Sequence, residues 1–212
     1  MARIRIPTGP IELLAIGVST GGPNALADLL PPLKADFPVP VVIVQHMPAM
    51  FTKLLAERLD TQCQLRVREG TDGEGLEPGV IYIAPGDFHM SVQRRGVTPT
   101  LVLTQDPPEN SCRPAVDVLF RSVATVFGPH ALGVILTGMG QDGLRGCQAM
   151  VDHGGRIFVQ DEASSVVWGM PGNVARAGLA QKVLPLDVMG AEIVRAIERH
   201  RPVGPAAEIR AE

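Results

Sequence analysis

Four apolar runs of strand length recur along the chain, and turn residues followed by a helical pattern come after each. The runs are IELLAIG, VPVVIVQ, ALGVILT and GRIFVQ, at 11–17, 39–45, 131–137 and 155–160. This alternation predicts βα units, which build a parallel sheet with helices on its faces. Because only 4% of the residues are aromatic, we expect an aliphatic core, which suits an α/β fold.

The segments between these runs predict helices and one antiparallel element. Apolar residues at helical spacing predict helices from Pro23, over 51–59 and after Pro114, and a closing helix over 187–199 with Asp187 as its N-cap. Short β patterns fill residues 64–105, where APGD is typical of a tight turn. We expect this stretch to form an antiparallel hairpin flap on the sheet.

The 212 residues suffice for one well-buried domain. We expect an N-terminal tail over 1–10, a domain over 11–200 and a C-terminal tail over 201–212. With a formal net charge of −3, the chain has no excess of basic residues for binding nucleic acid. Three widely spaced cysteines predict reduced thiols, and no apolar stretch is long enough for a membrane helix, so we expect a cytoplasmic protein without membrane insertion.

Chemistry in an open parallel sheet gathers beyond the carboxyl ends of the strands. The residues there are Ser19, in GVSTG, His46, after VPVVIVQ, and Asp142, in LTGMGQDG. GVSTG matches the G-x-S-x-G turn that exposes a nucleophilic serine, although a serine before a helix is more often an N-cap. Histidine can take the serine proton near neutral pH, and an aspartate can fix the orientation of its ring.

Two choices stay open at this point. The glycine-rich turn after the first run could instead cradle a phosphate, but the second run ends in Gln45-His46 without the acidic residue of a dinucleotide site, and no P-loop lysine follows the glycines. Asp161, at the end of the fourth run, competes with Asp142 for the orienting role. Asp142 is favoured because its glycine-rich loop resembles the loop around Ser19.

Six motifs, in one order, resemble the catalytic domain of the chemotaxis methylesterase family CheB. They are IGVSTGGP, VQHMPAMFT, YIAPGDFHM, CRPAVDVLF, LTGMGQDG and VQDEASSVVWGMP, and the likeness runs from about Ile11 to Leu186. The resemblance implies a doubly wound, Rossmann-like three-layer α/β domain. It also implies a triad of Ser19, His46 and Asp142, and a reaction without metal or organic cofactor.

The implied reaction is hydrolysis of glutamate γ-methyl esters on the cytoplasmic helices of chemoreceptors, through an acyl-serine intermediate, with deamidation of receptor glutamines as a second activity. We expect the backbone N–H groups of Thr20 and Met139 to bind the oxyanion. Residues assigned to the substrate cleft, or near it, are Gly21, Gly22, His89, Cys112, Trp168 and Met170.

The family usually carries a receiver domain before the catalytic domain, and phosphorylation of that domain relieves inhibition. This chain starts almost directly at the first predicted strand, so we expect either an excised catalytic domain or an architecture without that regulator. The alternatives are a serine esterase or amidase with another substrate, and a phosphate or nucleotide-binding module that uses the glycine loops.

Overall fold

A seven-stranded parallel sheet forms the centre of the protein, whose residues 9–198 are described by a computed structural model. The nine strands within these residues are β1 (Leu13–Val18), β2 (Val41–Gln45), β3 (Arg66–Glu69), β4 (Val80–Ile83), β5 (His89–Arg95), β6 (Thr98–Thr104), β7 (Ala131–Ile135), β8 (Arg156–Gln160) and β9 (Lys182–Leu184). The sheet order is β3-β4-β2-β1-β7-β8-β9. The four predicted strands are confirmed as β1, β2, β7 and β8, because continuous apolar runs are typical of strands buried on both faces.

Helices cover both faces of the sheet, which confirms the predicted three-layer α/β fold. They are α1 (Gly22–Leu29), α2 (Ala49–Gln62), α3 (Val116–Phe127), α4 (Leu144–Asp152), α5 (Met170–Arg176) and α6 (Leu186–Glu198). Successive side chains of β1 alternate between the layers, since Leu14 and Ile16 pack with α1, α2 and α6, whereas Leu13 and Ala15 pack with α3, α4 and α5. Asp187 lies in the first turn of α6, one residue inside the helix that it was predicted to cap.

The prediction of an antiparallel flap over 64–105 is only partly right. Strands β3 and β4 pair in parallel and extend the main sheet next to β2, and only β5 and β6 form an antiparallel hairpin. The run VIYI of β4 is buried at all four positions, as in a strand covered on both faces. The APGD turn therefore leads from the sheet to the hairpin and does not join two antiparallel strands.

The chain reverses its winding direction between β1 and β7, which are neighbours in the sheet. From β1 the chain passes to β2, then to β3 at the edge and back to β4, which lies between β3 and β2. After the hairpin it returns to β7 and proceeds outward to β8 and β9. Crevices at such switch points, beyond the carboxyl ends of the strands, are where ligands bind in open α/β sheets. The loops after β1, β2 and β7 lie at this place.

Two expectations concern the ends of the chain and membranes. The predicted tails over 1–10 and 201–212 lie largely outside the described residues, but the carbonyls of Gly9 and Pro10 accept hydrogen bonds from Arg156 and His130. Between residues 9 and 198, no helix has both the length and the apolar character needed to cross a membrane.

Candidate active site

Ser19 lies on the turn between β1 and α1, at the centre of the sheet edge. Its N–H donates to the Thr137 carbonyl at 3.0 Å, and the Gln45 side-chain amide donates to the Ser19 carbonyl at 3.1 Å, so the turn is tied to both neighbouring strands. The N-cap of α1 is Gly21, with a φ of 83°, and no side chain caps this helix. Ser19 is therefore not the helix cap, and its hydroxyl makes no hydrogen bond within the described part of the chain.

His46 follows β2 and contacts the carboxylate of Asp142, which lies between β7 and α4. The distance from His46 Nε2 to Asp142 Oδ2 is 2.7 Å, and the two side chains are 13% and 3% exposed. The other ring nitrogen, Nδ1, faces Cys112 Sγ at 3.7 Å. The parallel register that pairs Val18 with Gln45 makes Ser19 and His46 neighbours at the strand ends. The structure therefore brings all three predicted residues to one edge, with a His46–Asp142 hydrogen bond and no Ser19–His46 hydrogen bond among residues 9–198.

Five hydrogen bonds converge on the Asp142 carboxylate. Its donors are His46 Nε2, Asn110 Nδ2 and the backbone N–H groups of Val116, Asp117 and Gly143. Two of these N–H groups belong to the first turn of α3, whose own N-cap residue forms no side-chain hydrogen bond. Asp142 therefore places its negative charge at the N-terminus of α3, where the helix dipole stabilises an anion.

Asp117 likewise accepts a hydrogen bond from the N-terminus of a helix, in this case α4. Its side chain extends from α3, and Oδ1 accepts a hydrogen bond from the Gly146 N–H in the first turn of α4 at 2.6 Å, while Oδ2 accepts one from Asn110 at 2.9 Å. Asp142, just before α4, caps α3, and Asp117, on α3, caps α4. The two carboxylates and Asn110 thus join the site to the packing of both helices.

The charges of this cluster are set by competing effects. Burial tends to raise the pKa of Asp142, but its hydrogen bonds from His46, Val116 and Asp117 outweigh burial and hold that pKa below its ordinary value. Burial likewise tends to lower the pKa of His46, but Asp142 and Cys112 favour the charged ring and raise its pKa to about 9. Both shifts favour the charged forms, an anionic Asp142 and a protonated His46.

Asp161, the rival carboxylate, lies elsewhere. Its Oδ1 atom accepts hydrogen bonds from the N–H and the hydroxyl of Ser164, at 3.0 and 2.6 Å, within the loop that follows β8. This arrangement closes the loop on itself. The carboxylate that contacts His46 is that of Asp142.

The two backbone N–H groups expected to bind an oxyanion, those of Thr20 and Met139, flank Ser19. Gly138 packs directly against Ser19, since a Cβ on Gly138 would come within 2.8 Å of Ser19 Cβ. Within residues 9–198, neither the Thr20 nor the Met139 N–H donates a hydrogen bond to the protein, and both residues are exposed. Both donors are therefore available to a ligand, as preorganised oxyanion donors must be.

The residues expected to line a substrate cleft differ in what they can contact. Gly21 and Trp168 are partly exposed at the site edge, and the Trp168 indole donates from Nε1 to the Gln160 carbonyl at 2.9 Å. Gly22 is buried, and a Cβ there would lie 1.9 Å from Gln45 Oε1. Gly22 therefore allows α1 to pack closely on the end of β2, and it does not line a cleft.

His89 and Met170 also have structural surroundings. His89 is 2% exposed, with Nδ1 accepting from the Ala115 N–H and Nε2 donating to the Pro107 carbonyl, so its ring fastens the hairpin to the start of α3. Met170 is fully buried, and its sulfur would lie 2.4 Å from a Cβ on Gly138. Neither side chain is offered to a substrate, which corrects the expectation for both.

Gly138 is where the loop after β7 approaches Ser19 most closely, so we expect Gly138→Ala to impair catalysis. The new methyl group would displace Met170 or Ser19, and misplacing reacting groups by about 1 Å costs about 10²-fold in rate. Catalytic rates and thermal unfolding, measured on the same preparations, would show the effect. Gly75→Ala is the matched control, because a Cβ there meets only Thr98 Cγ2 at 3.5 Å. Equal rates for the two variants would contradict the proposed close fit.

The sequence analysis missed two members of the site, Asn110 and Asp117. Asp117 stands in the apolar helical pattern VDVLF after Pro114, and its side chain is fully buried. An acidic residue on the buried face of a helix requires hydrogen-bond donors, which was the available signal. Asn110 lies in an irregular loop and gave no comparable signal.

Known proteins resemble this chain in sequence and in structure. It is 56% identical over 187 residues to a protein-glutamate methylesterase/protein-glutamine glutaminase of Trichodesmium erythraeum, covering 88% of this chain and 53% of that protein. The counterpart of the same name in Azospirillum brasilense is 53% identical over 89% of this chain and 48% of that protein. The crystal structure of the Thermotoga maritima CheB methylesterase catalytic domain superposes with a TM-score of 0.86 at 40% identity, over 87% of this chain and 98% of that one.

A doubly wound α/β domain with serine, histidine and aspartate at adjacent strand ends is typical of serine hydrolases. The sequence model of CheB methylesterase matches residues 14–193. The chain belongs to the CheB methylesterase family, as its motifs predicted. It spans about half the length of these two curated relatives.

Proposed function

We propose that residues 11–200 act as one catalytic domain that hydrolyses glutamate γ-methyl esters on chemoreceptor helices and releases methanol. The observation that carries this proposal is the His46–Asp142 hydrogen bond next to Ser19, in a domain of the CheB methylesterase family. Since those receptor helices face the cytoplasm, we place the reaction in that compartment.

Ser19 is the nucleophile in this proposal, and His46 is the general base. The His46 ring donates from Nε2 to Asp142, so the nitrogen that takes the serine proton is Nδ1. A Ser19–His46 hydrogen bond then forms as the substrate binds, as catalytic hydrogen bonds often tighten only in the substrate complex. Attack of Ser19 Oγ on the ester carbonyl gives a tetrahedral intermediate, and Asp142 stabilises the charged imidazole ring.

The oxyanion of that intermediate is bound by the N–H groups of Thr20 and Met139, and one such donor is typically worth about 10²–10³ in rate. His46 next protonates the departing methoxide, which leaves as methanol. Water, deprotonated by the same ring, attacks the γ-glutamyl-serine ester, and Ser19 is regenerated with a free glutamate side chain.

The surface around this edge supports a protein substrate. Large apolar side chains are exposed at the start of α2, just after His46, and in the loops near Ser19: they are Met50, Phe51, Leu54, Met139 and Val166. Clustered exposed apolar residues are typical of protein interaction sites. A cleft of about 510 Å³ lies between α1 and α6, and none of the three proposed catalytic residues lines it. The proposed reaction therefore takes place outside this cleft.

Methanol release from methyl-esterified chemoreceptor fragments tests the proposal. We expect release from the receptor fragments and much slower hydrolysis of a small ester such as an acetyl ester, because only the receptor uses the apolar surface. Hydrolysis of the small ester with no release from methylated receptor would support the alternative of another serine esterase. The absence of both activities would overturn the proposal.

A second activity, deamidation of receptor glutamines, is proposed because the curated relatives described above are named for both reactions. The acyl-serine intermediate is the same, and ammonia leaves in place of methanol. Ammonia release from fragments carrying glutamine at the same positions measures it, with the esterase rate on matched fragments as the reference.

The raised pKa of His46 predicts a pH profile. A general base must be unprotonated, and with a pKa of about 9 the neutral fraction falls roughly tenfold for each pH unit below that value. We expect kcat/KM to rise with pH through neutrality and to level off above about pH 9. The measurement uses chelator-treated buffer and subtracts the rate of the Ser19→Ala variant, since esters also hydrolyse in base. A profile already flat at pH 7 would contradict the prediction.

A further inference from the structure

Cys112 has no part in the proposed mechanism, yet its thiol lies against the ring nitrogen that the mechanism uses. Its Sγ atom is 3.7 Å from His46 Nδ1, and donor atoms of Cys112, His46 and Asp142 all lie within 4.8 Å of one another. No other group of three such donors occurs this close together in the part of the chain that the structure describes. Thiolate and imidazole are preferred ligands of zinc and similar soft or borderline cations.

The distance between the two donor atoms fits a metal ion without movement of the backbone. Zinc binds thiolate sulfur at about 2.3 Å and imidazole nitrogen at about 2.0–2.1 Å, so a tetrahedral angle separates sulfur from nitrogen by about 3.6 Å. The observed separation of Cys112 Sγ and His46 Nδ1 is 3.7 Å.

Asp142 supplies the feature that usually stands behind a metal-bound histidine. Histidine ligands almost always donate their second ring N–H to a carboxylate, a carbonyl or water, and this bond fixes the tautomer and increases ligand basicity. His46 Nε2 is 2.7 Å from Asp142 Oδ2. With the proton held there, the lone pair of the neutral ring lies on Nδ1, on the side of the thiol.

Cys112 is held in place by its own loop. Glu109 and Cys112 exchange two backbone hydrogen bonds, at 2.8 and 3.1 Å, and the next residue, Arg113, donates to Asp87 Oδ1 and to the Gln105 and Asp106 carbonyls. Cys112 is a partly exposed residue, which leaves room for water to complete a coordination sphere. Little order is then lost when both ligands bind one ion.

We propose that His46 Nδ1 and Cys112 Sγ form an inhibitory site for a zinc-like divalent cation, with Asp142 accepting the Nε2–H bond and water completing the coordination. Binding forms one metal–sulfur and one metal–nitrogen bond, and it releases the thiol proton, and the Nδ1 proton where the ring is charged, to solvent. The inhibitory effect rests on the proposed function, because the metal occupies the lone pair that would take the Ser19 proton.

Binding is tested with Co²⁺ as the probe, because a cobalt–thiolate bond gives a charge-transfer band in the near ultraviolet. We expect the band in the wild-type protein, its loss when Zn²⁺ is added, and its absence from Cys112→Ser and from His46→Gln. Cys63→Ser, which changes the other partly exposed thiol, is the matched control and should keep the band. Absence of the band from the wild type, or its persistence in Cys112→Ser, would overturn the site.

Inhibition is measured separately as methanol release with and without Zn²⁺, and a chelator is then added to restore the rate. We expect at least a tenfold loss in the wild type and a much smaller fractional loss in Cys112→Ser. A Zn²⁺-insensitive rate despite the cobalt band would overturn the inhibitory role. A cobalt band without any esterase activity would instead refute the proposed function and leave the metal site standing.

Discussion

Ser19→Ala is expected to lower the rate of methanol release by at least about 10⁴-fold, because removing the nucleophile of a triad leaves only oxyanion and binding contributions. The same substitution is expected to leave the free energy of unfolding within about 0.5 kcal/mol of wild type, since the Ser19 hydroxyl makes no hydrogen bond within residues 9–198. An N-cap serine would instead cost about 1 kcal/mol when replaced by alanine. Activity and denaturant unfolding, measured on one preparation, therefore separate the two roles.

Ser91→Ala is the matched control for this prediction. Ser91 is also a partly exposed serine, and its hydroxyl makes only a long hydrogen bond, at 3.4 Å, to the Val102 carbonyl in the hairpin. Its activity should stay close to wild type. Retention of wild-type methanol release by Ser19→Ala would show that another residue is the nucleophile.

Asp142→Asn is expected to have the second large effect, this time on both rate and stability. Replacing the orienting aspartate of a triad by asparagine lowers kcat by about 10⁴-fold, since the amide no longer holds the required tautomer. An asparagine also turns one acceptor into a donor, so N–H groups that Asp142 now satisfies lose their partner. Unsatisfied buried donors and a lost charge predict a destabilisation of about 3 kcal/mol.

The matched comparison is Asp161→Asn, which changes an aspartate whose carboxylate accepts hydrogen bonds from the N–H and hydroxyl of Ser164 and from no other residue among 9–198. We expect nearly wild-type activity and a stability change of no more than about 1 kcal/mol. A greater loss of activity at Asp161 than at Asp142 would transfer the orienting role and refute the assignment.

The sequence was most informative where interactions are local. The apolar runs that became β1, β2, β7 and β8 predict buried strands whatever their neighbours are, and the strand ends then placed Ser19, His46 and Asp142 at one edge. Strands β3 and β4 were assigned to the wrong sheet, because their pairing depends on β2, which is distant in sequence.

The details of the site depend on contacts between distant segments. Asp142 meets the first turn of α3, about 25 residues earlier in the chain, and Cys112 meets His46 across a separation of 66 residues. No periodicity or spacing encodes such approaches. The Asp142 contacts depend on how α3 and α4 pack against each other, and the Cys112 contact depends on how the loop before α3 meets the end of β2.

Asp142 caps α3 and Asp117 caps α4, and this arrangement holds one part of the loop after β7 in place while another part is exposed to solvent. Asp142 is fixed by five hydrogen bonds, whereas Met139 and Gln141, close by in the same loop, are exposed. Substitutions at the exposed positions alter what the rim of the site contacts without moving the carboxylate. The side chains of Met139 and Gln141 are therefore open to substitution independently of the hydrogen bonds that hold Asp142.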